Sequence, residues 1–349
     1  MINNIKENID LIIKENNLKI VYNKKDWNQI LYNVEFVPCE YSYGCIKYYQ
    51  EWMKEQYEEF YGYLCILNDD NNKPIGLWEF QIRYEKGTYS VGSSYHEISC
   101  PIFIRNISHK KEKKYINVII DFVFKISHYL KIDQVDLKCT SDISGLNYWY
   151  KHWKENNAKL SSIEHVLYTN LTLEKNEIWL NIRDRYKTYI NKGQKKWNIE
   201  IVDYYNVSKF HLYKEYHHKI AKRVTRGELT WKMQLNALKN HEAFIILLTS
   251  KATNELIGAA YFFKSKSECI YLSGVFDRTL FVNPVSHLVQ YKAIEYCKNN
   301  GLSQYRIGEK LYKQDYNEIT GKELSISYFK EGFSTNIYVN FILNKHMGD

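Results

Sequence analysis

One step in this chain occurs twice, and it narrows the fold more than any other feature. In the second half the run "NPVSHLVQYKAIEYCKNNG" has helix punctuation at both ends and leads into the short buried-strand run "QYRIG". Asn283 suits the N-cap, Pro284 the first turn and Gly301 the left-handed exit. In the first half, "KEKKYINVIIDFVFKISHYL" places Ile116, Ile119, Ile120 and Val123 on one helical face and runs into "QVDLKC". "HYLKIDQVDLK" stands about 170 residues before "KNNGLSQYRIG", and "YWYKHWKEN" about 180 before "SYFKEGF". Three strand-like runs precede each step: "GYLCILND", "PIGLWEFQI" and "HEISCPIFI", then "AFIILLTS", "ELIGAAYFF" and "ECIYLSGVF". A short helix and a closing strand, "EHVLYTNLTL" or "TNIYVNFIL", follow each.

Strand–strand–strand–helix–strand–helix–strand, twice, predicts a tandem duplication of one α+β unit around a mixed sheet. The expected domains are 1–174 and 175–349. Between them the sequence predicts a helix over "NEIWLNIRDRYKTYINKGQKKW" and a strand over "IEIVDY". It also predicts a helix over "VSKFHLYKEYHHKIAKRVTRG" ended by Gly227, and another over "LTWKMQLNALKNH".

Composition excludes several classes. With 45% hydrophobic residues and only 4 Pro in 349 residues, the chain builds cores, not disordered linkers. No run approaches the roughly 20 apolar residues of a membrane span. The first residues, "MINNIKENIDLIIKENN", read as an amphipathic helix with no apolar signal block, so a cytoplasmic protein is expected. The seven Cys show no C-x-x-C or Cys/His pairing. They read as reduced, mostly buried thiols, and no metal site is expected.

Charge is uneven. Residues 175–349 hold 27 Lys and Arg against 17 Asp and Glu, a net of +10, which leaves the first 174 at −2. That asymmetry points to an anionic partner for the second half, or to a lysine-rich solvated face. Lys219, Lys222, Arg223 and Arg226 are spaced for one helical face, where four like charges repel unless an anion sits among them. Arg223 and Arg226, near Trp231, are the expected anion-binding pair. Arg183, Arg185, Lys187, Lys192, Lys195 and Lys196 interleave with Tyr186, Tyr189 and Trp197. That mixture suits nucleic acid, although Tyr186 and Ile190 also have core spacing. His287, with Arg278 nearby in sequence, is a candidate base or a structural histidine.

With "YFKEGF" before the last strand, the element order resembles the fold of the GCN5-related N-acetyltransferases. In that family a Y-x-x-x-G-F segment occupies this turn, and Tyr328, Gly332 and Phe333 match it. Two such units with a degenerate first half resemble the Fem-type aminoacyltransferases that build peptidoglycan cross-bridges. The likeness is greatest to Fem-like proteins of surface-glycan and sialic-acid-like sugar pathways. It covers residues 178–340, while 1–174 match by architecture alone and carry no counterpart of the family's coiled-coil arm.

The resemblance implies transfer of an acyl or aminoacyl group to an amine or hydroxyl of a sugar or peptidoglycan precursor. Acetyl-CoA-binding members carry R/Q-x-x-G-x-G/A at a helix start, where glycines let backbone N–H groups hold pyrophosphate. Neither "RTLFVNPVSHL" nor "SHKKEKKYIN" has such glycines. The expected donor is therefore aminoacyl-tRNA with no resident cofactor, and tRNA is then a partner. Acyl-CoA as donor is one alternative, and a non-catalytic RNA-binding protein is another.

In the resembling fold "QYRIG" lies at the sheet centre, and its end opens into the cleft. Glu309 or Glu323 would then be the base, and Lys322 or Lys330 the electrostatic stabiliser. Tyr328 would be the leaving-group acid. The other reading is a Glu–Lys network that fixes a loop.

Overall fold

The structure is a computed structural model that describes residues 2–94, 96–142, 145–280, 285–315 and 318–348. In chain order the first half contains α1 (Ile2–Glu15), β1 (Leu18–Ile20), α2 (Lys24–Leu31), α3 (Tyr43–Lys54), β2 (Glu59–Asn68), β3 (Pro74–Glu85) and β4 (Thr88–Gly92). There follow β5 (Ile98–Ser99), β6 (Ile102–Phe103), α4 (His109–Leu130), β7 (Gln134–Asp142), β8 (Gly145–Leu146), α5 (Tyr148–Glu155) and β9 (Lys159–Asn170). The second half contains α6 (Lys175–Asn181), α7 (Asp184–Lys196), β10 (Trp197–Val202), α8 (Val207–Ala221), α9 (Glu228–Lys239), β11 (Ala243–Ser250) and β12 (Leu256–Lys264). It closes with β13 (Glu268–Phe276), α10 (Val285–Asn299), β14 (Gln304–Lys310), α11 (Gly321–Glu331) and β15 (Asn336–His346).

The chain forms two compact units. The first is Met1–Val37, Tyr49–Glu164 and Val339–Asp349; the second is Pro38–Tyr48 and His165–Tyr338. The division falls ten residues before the expected 174/175 boundary, and two segments belong with the unit of the other half.

In the first unit β1, β2, β3 and β4 form an antiparallel sheet in that order, with β6 also on β3. β7 pairs antiparallel with the end of β15 from Asn340 and parallel with β5. The α4 face expected from sequence is buried: Ile116, Ile119, Ile120 and Val123, joined by Phe122 and Ile126. Each such side chain contributes roughly 1.5–3 kcal/mol. Ser108 caps the start of α4 and Lys131 takes the left-handed exit at φ 54°.

In the second unit the strand order is β10, β11, β12, β13, β14 and then β9 from His165. Among the described residues of this unit only the β13–β14 pair is parallel, and α10 is its crossover. Gly301 exits α10 at φ 76°, as its position suggests. Asn283 and Pro284 lie outside the described residues.

Three expectations are corrected. "NEIWLNIRDRYKTYINKGQKKW" is two helices, because Ile182 is extended at ψ 134° and the Arg183 N–H leaves to pair with Gly332 O at 2.9 Å. The α8 helix stops at Ala221, with Lys222 left-handed at φ 55°, so Gly227 does not end it. "HEISCPIFI" is two short strands on either side of Pro101, which has no N–H for a ladder. Among the described residues, no helix is long and apolar enough to cross a membrane. Six of the seven Cys are buried and Cys100 is half-buried.

Candidate active site

The β13–β14 pair carries the distinctive geometry of the second unit. The strands pair only over Glu268–Ile270 against Gln304–Arg306. β13 continues to Phe276 and β14 to Lys310, so beyond this point the strands part and leave a gap. A buried charge cluster locks the closed end. Arg306 Nη2 meets Glu40 Oε2 at 2.5 Å and Arg306 Nε meets Glu268 Oε1 at 3.4 Å, while the Cys39 N–H donates to Glu268 at 2.5 Å. Burial pushes the Glu268 carboxyl up, against the pull of Arg306.

Past that lock, β14 bulges. Its register against β9 shifts between Arg306 and Gly308, and Gly308 stands at φ 142°. A Cβ at this position would strike the Lys330 side chain: Cδ and Cε lie 2.9 Å from where it would sit, and the ammonium is closer still. The α11 helix therefore lays Lys330 across bare backbone at the mouth of the gap. Burial lowers the Lys330 pKa, opposed by the charge of Glu309 beside it. Ser327 Oγ accepts from Leu311 N at 2.7 Å, and Lys310 pairs with Glu331 at 2.8 Å, so α11 is tied to the end of β14.

The opposite wall is β13. It runs on past Ile270, with its register against β12 shifting between Tyr271 and Ser273. Ser273 Oγ bonds the Tyr213 hydroxyl at 2.8 Å, and Tyr213 lies beside the Arg226 guanidinium. Arg226 stacks 4.5 Å over the buried Trp231 ring, with Nη1 enclosed and without a hydrogen-bond partner. His217 joins this cluster; burial first, then the charge of Arg226, lowers it to about 4.

The remaining sequence candidates fall into three groups. Lys330 lies over Gly308 with exposed Glu309 beside it, while Arg226 and the buried Trp231 stand with Tyr213, which bonds Ser273 of β13. Glu323 does not: its carboxylate accepts from Thr320 N at 2.8 Å and Thr320 Oγ at 2.7 Å as the α11 capping box, which lowers its pKa. The first helical turn claims this carboxylate, and Lys322 beside it is exposed. Tyr328 is 57% exposed, with its ring against Arg183 at 3.8 Å. Two residues along a helix differ by about 200°, so Tyr328 and Lys330 face apart.

His287 is walled in by Tyr186, Tyr189, Phe329 and Phe333. Burial, then the charge of Arg185, lowers it to about 4, so it is neutral at pH 7. Among the described residues its enclosed Nδ1 has no hydrogen-bond partner. Lys219, Lys222 and Arg223 do not share a helical face with Arg226, because α8 ends before Lys222. Arg223 and Arg278 are exposed. On α7, Arg185, Lys192, Lys195 and Lys196 are exposed, Lys187 pairs with Asp184 at 2.9 Å, and Arg183 is half-buried.

Sequence reasoning missed Gly308, Ser273, Tyr213 and the Glu40–Arg306–Glu268 lock. Charges inside the runs "ECIYLSGVF" and "QYRIG" were the available signal, since strand cores rarely hold Glu and Arg unless they are paired. Among the described residues, no group of three or more His, Cys, Asp or Glu is placed to hold a metal ion.

No family model matches the chain, and no curated protein matches it by sequence. Solved structures do. The crystal structure of FemX superposes with TM-score 0.67 at 10% identity, over 93% of this chain and 96% of that one. A conserved protein of unknown function from Bacteroides thetaiotaomicron gives 0.60 at 8% identity, over 94% and 99%. L-PGS from Bacillus licheniformis gives 0.59 at 8% identity, over 94% and 93%. The chain thus has the fold of FemX and L-PGS, in two compact units.

Proposed function

We propose that the second unit transfers an aminoacyl or acyl group, with aminoacyl-tRNA as donor. The acceptor is an amine or hydroxyl of a surface-glycan, sialic-acid-like sugar or peptidoglycan precursor, taken in the cytoplasm. The observation that carries this reading is the half-buried Lys330 side chain, laid across the Gly308 bulge just past the end of the β13–β14 pairing. A positive group held out of water at a strand opening is suited to a developing oxyanion.

In this reading the acceptor attacks the ester carbonyl of the donor, and Lys330 faces the oxygen that gains charge. The new C–N or C–O bond forms and the ester C–O bond breaks. The terminal hydroxyl of the tRNA leaves, protonated by the hydrogen that the nucleophile gives up. Glu309, at the same strand end, is the base for that proton. Arg226, braced by Trp231, binds an anionic group of the acceptor. One observation favours acyl-CoA instead: from Tyr271 the β13 edge facing the gap is unpaired, which suits an amide-bearing arm. Against it stands the glycine-free helix start.

The test is a donor screen. Purified protein is mixed with amino sugars and either charged tRNA or acyl-CoA, and products are read by mass spectrometry. Transfer from charged tRNA, with Lys330→Met slowing it about 10²–10³-fold while the circular dichroism spectrum is kept, is the expected result. No transfer from either donor, together with tight RNA binding, overturns the enzyme reading.

A further inference from the structure

The motif tyrosine that the reaction scheme leaves unused has an unusual setting. Tyr328 is 57% exposed on α11, yet its ring is held from behind. The Arg183 guanidinium lies 3.8 Å from the ring centroid on one face. Arg183 is itself pinned: Nη1 donates to Tyr186 Oη at 2.8 Å and to Tyr328 O at 3.0 Å, and Nη2 pairs with Glu331 at 3.4 Å. Its own N–H is bonded to Gly332 O. The result is a braced aromatic plate with a cation on its inner face and solvent on the rest.

Arg183 is also the N-cap of α7, and the charges of that helix continue from the plate. Arg185, Lys192 and Lys196 are exposed. Steps of 7 and 4 place them within about 40° on one stripe some 16 Å long. Lys195 is exposed on the flank, and Asp184, the acidic residue of the helix, is engaged by Lys187. A stripe of cations that starts beside an open aromatic plate matches a single strand: phosphates track the cations and a base stacks on the ring. A folded protein partner would instead favour a broader apolar core around the aromatic.

We propose that the outer face of Tyr328 stacks an unpaired base of an RNA strand whose phosphates run along Arg185, Lys192 and Lys196. This rests on the reading that the donor is an aminoacyl-tRNA, and it assigns Tyr328 to holding the single-stranded end of that donor. The exposed hydroxyl then has no role in proton transfer. Arg183 is a positioning residue, which keeps the ring at a fixed angle.

Fluorescence anisotropy with two five-nucleotide RNAs tests this, one ending in adenosine and the other in an abasic ribose. The wild-type chain is expected to prefer the adenosine-ended RNA by about tenfold. Tyr328→Ala should abolish that preference and Tyr328→Trp should keep it, and because the side chain is exposed both variants should fold. Both RNAs should weaken with salt, less steeply in a Lys192→Glu, Lys196→Glu double variant. Equal affinity of the wild type for the two RNAs overturns the proposal, as does a Tyr328→Ala variant that still prefers the adenosine end. The donor reading fails separately. If the wild type transfers from charged tRNA and Tyr328→Ala does so at the same kcat/KM, the stacking site is wrong and the donor reading stands. If the wild type discriminates the end base but never uses charged tRNA, the stacking site stands and the donor reading falls.

Discussion

The two units repeat the same step, but each treats the space beside its crossover strand differently. In the second unit β13 and β14 pair over three residues, and α11 lays Lys330 against Gly308 just beyond them. In the first unit the corresponding pair is β5 with β7, also parallel, over two residues: Ile98 with Leu137 and Ser99 with Lys138. The turn before β5 is held by a buried network. Arg83, 3% exposed, donates to Ser93 O at 2.5 Å, to Gln81 Oε1 at 3.2 Å and to His96 O at 3.3 Å. The Ser94 N–H donates to Glu79 at 2.5 Å, and Trp78 Nε1 to Ser99 O at 2.9 Å. The two units thus differ in what lies beside the pair: a buried polar network around Arg83 in the first, and a lysine laid on a glycine bulge in the second.

Perturbing the Lys330–Gly308 contact is expected to cost activity, and perturbing the Arg83 network to cost stability. The largest effect is expected at Gly308. Gly308→Ala places a Cβ where the Lys330 side chain lies and strains a backbone at φ 142°, so kcat should fall about 100-fold, measured in the transfer assay. An unchanged kcat would remove Lys330 and the bulge from the site.

Next is Arg83→Met in the first unit. It strands two buried acceptors, Ser93 O and Gln81 Oε1, and should lower unfolding free energy by about 2–3 kcal/mol in urea titration. The kcat of the folded fraction should not change, and a loss of kcat would mean that the first unit also serves catalysis.

The smallest effect concerns acid. His287 at the start of α10 is caged and held down to about 4, whereas His109 at the start of α4 is exposed. An unfolded histidine titrates near 6.5. Between pH 6.5 and about 4 the unfolded chain therefore binds a proton at position 287 that the folded chain refuses, and stability falls as pH falls through that window. His287→Leu should show a smaller drop in urea midpoint between pH 7.5 and 5.0 than the wild type, and His109→Leu should match the wild type. Equal drops for all three would show that the cage around His287 is open to water.

Local pattern was enough to read the duplicated element order, the buried face of α4 and the Gly301 exit, because each depends on residues within a few turns of one another. It was also enough to single out Arg226, Glu309 and Lys330 as charges with unusual neighbours. Local pattern misplaced Glu323, whose T-x-x-E spacing from Thr320 is itself a capping-box signal, and it put Arg223 and Arg226 on a helix that ends before them. Only tertiary structure brought Gly308 under a lysine from the next helix and drew the Arg83 side chain onto the turn before β5. Hydrogen bonding and close backbone approach between distant segments leave no periodicity in the sequence, so the same repeated pattern reads alike in both units.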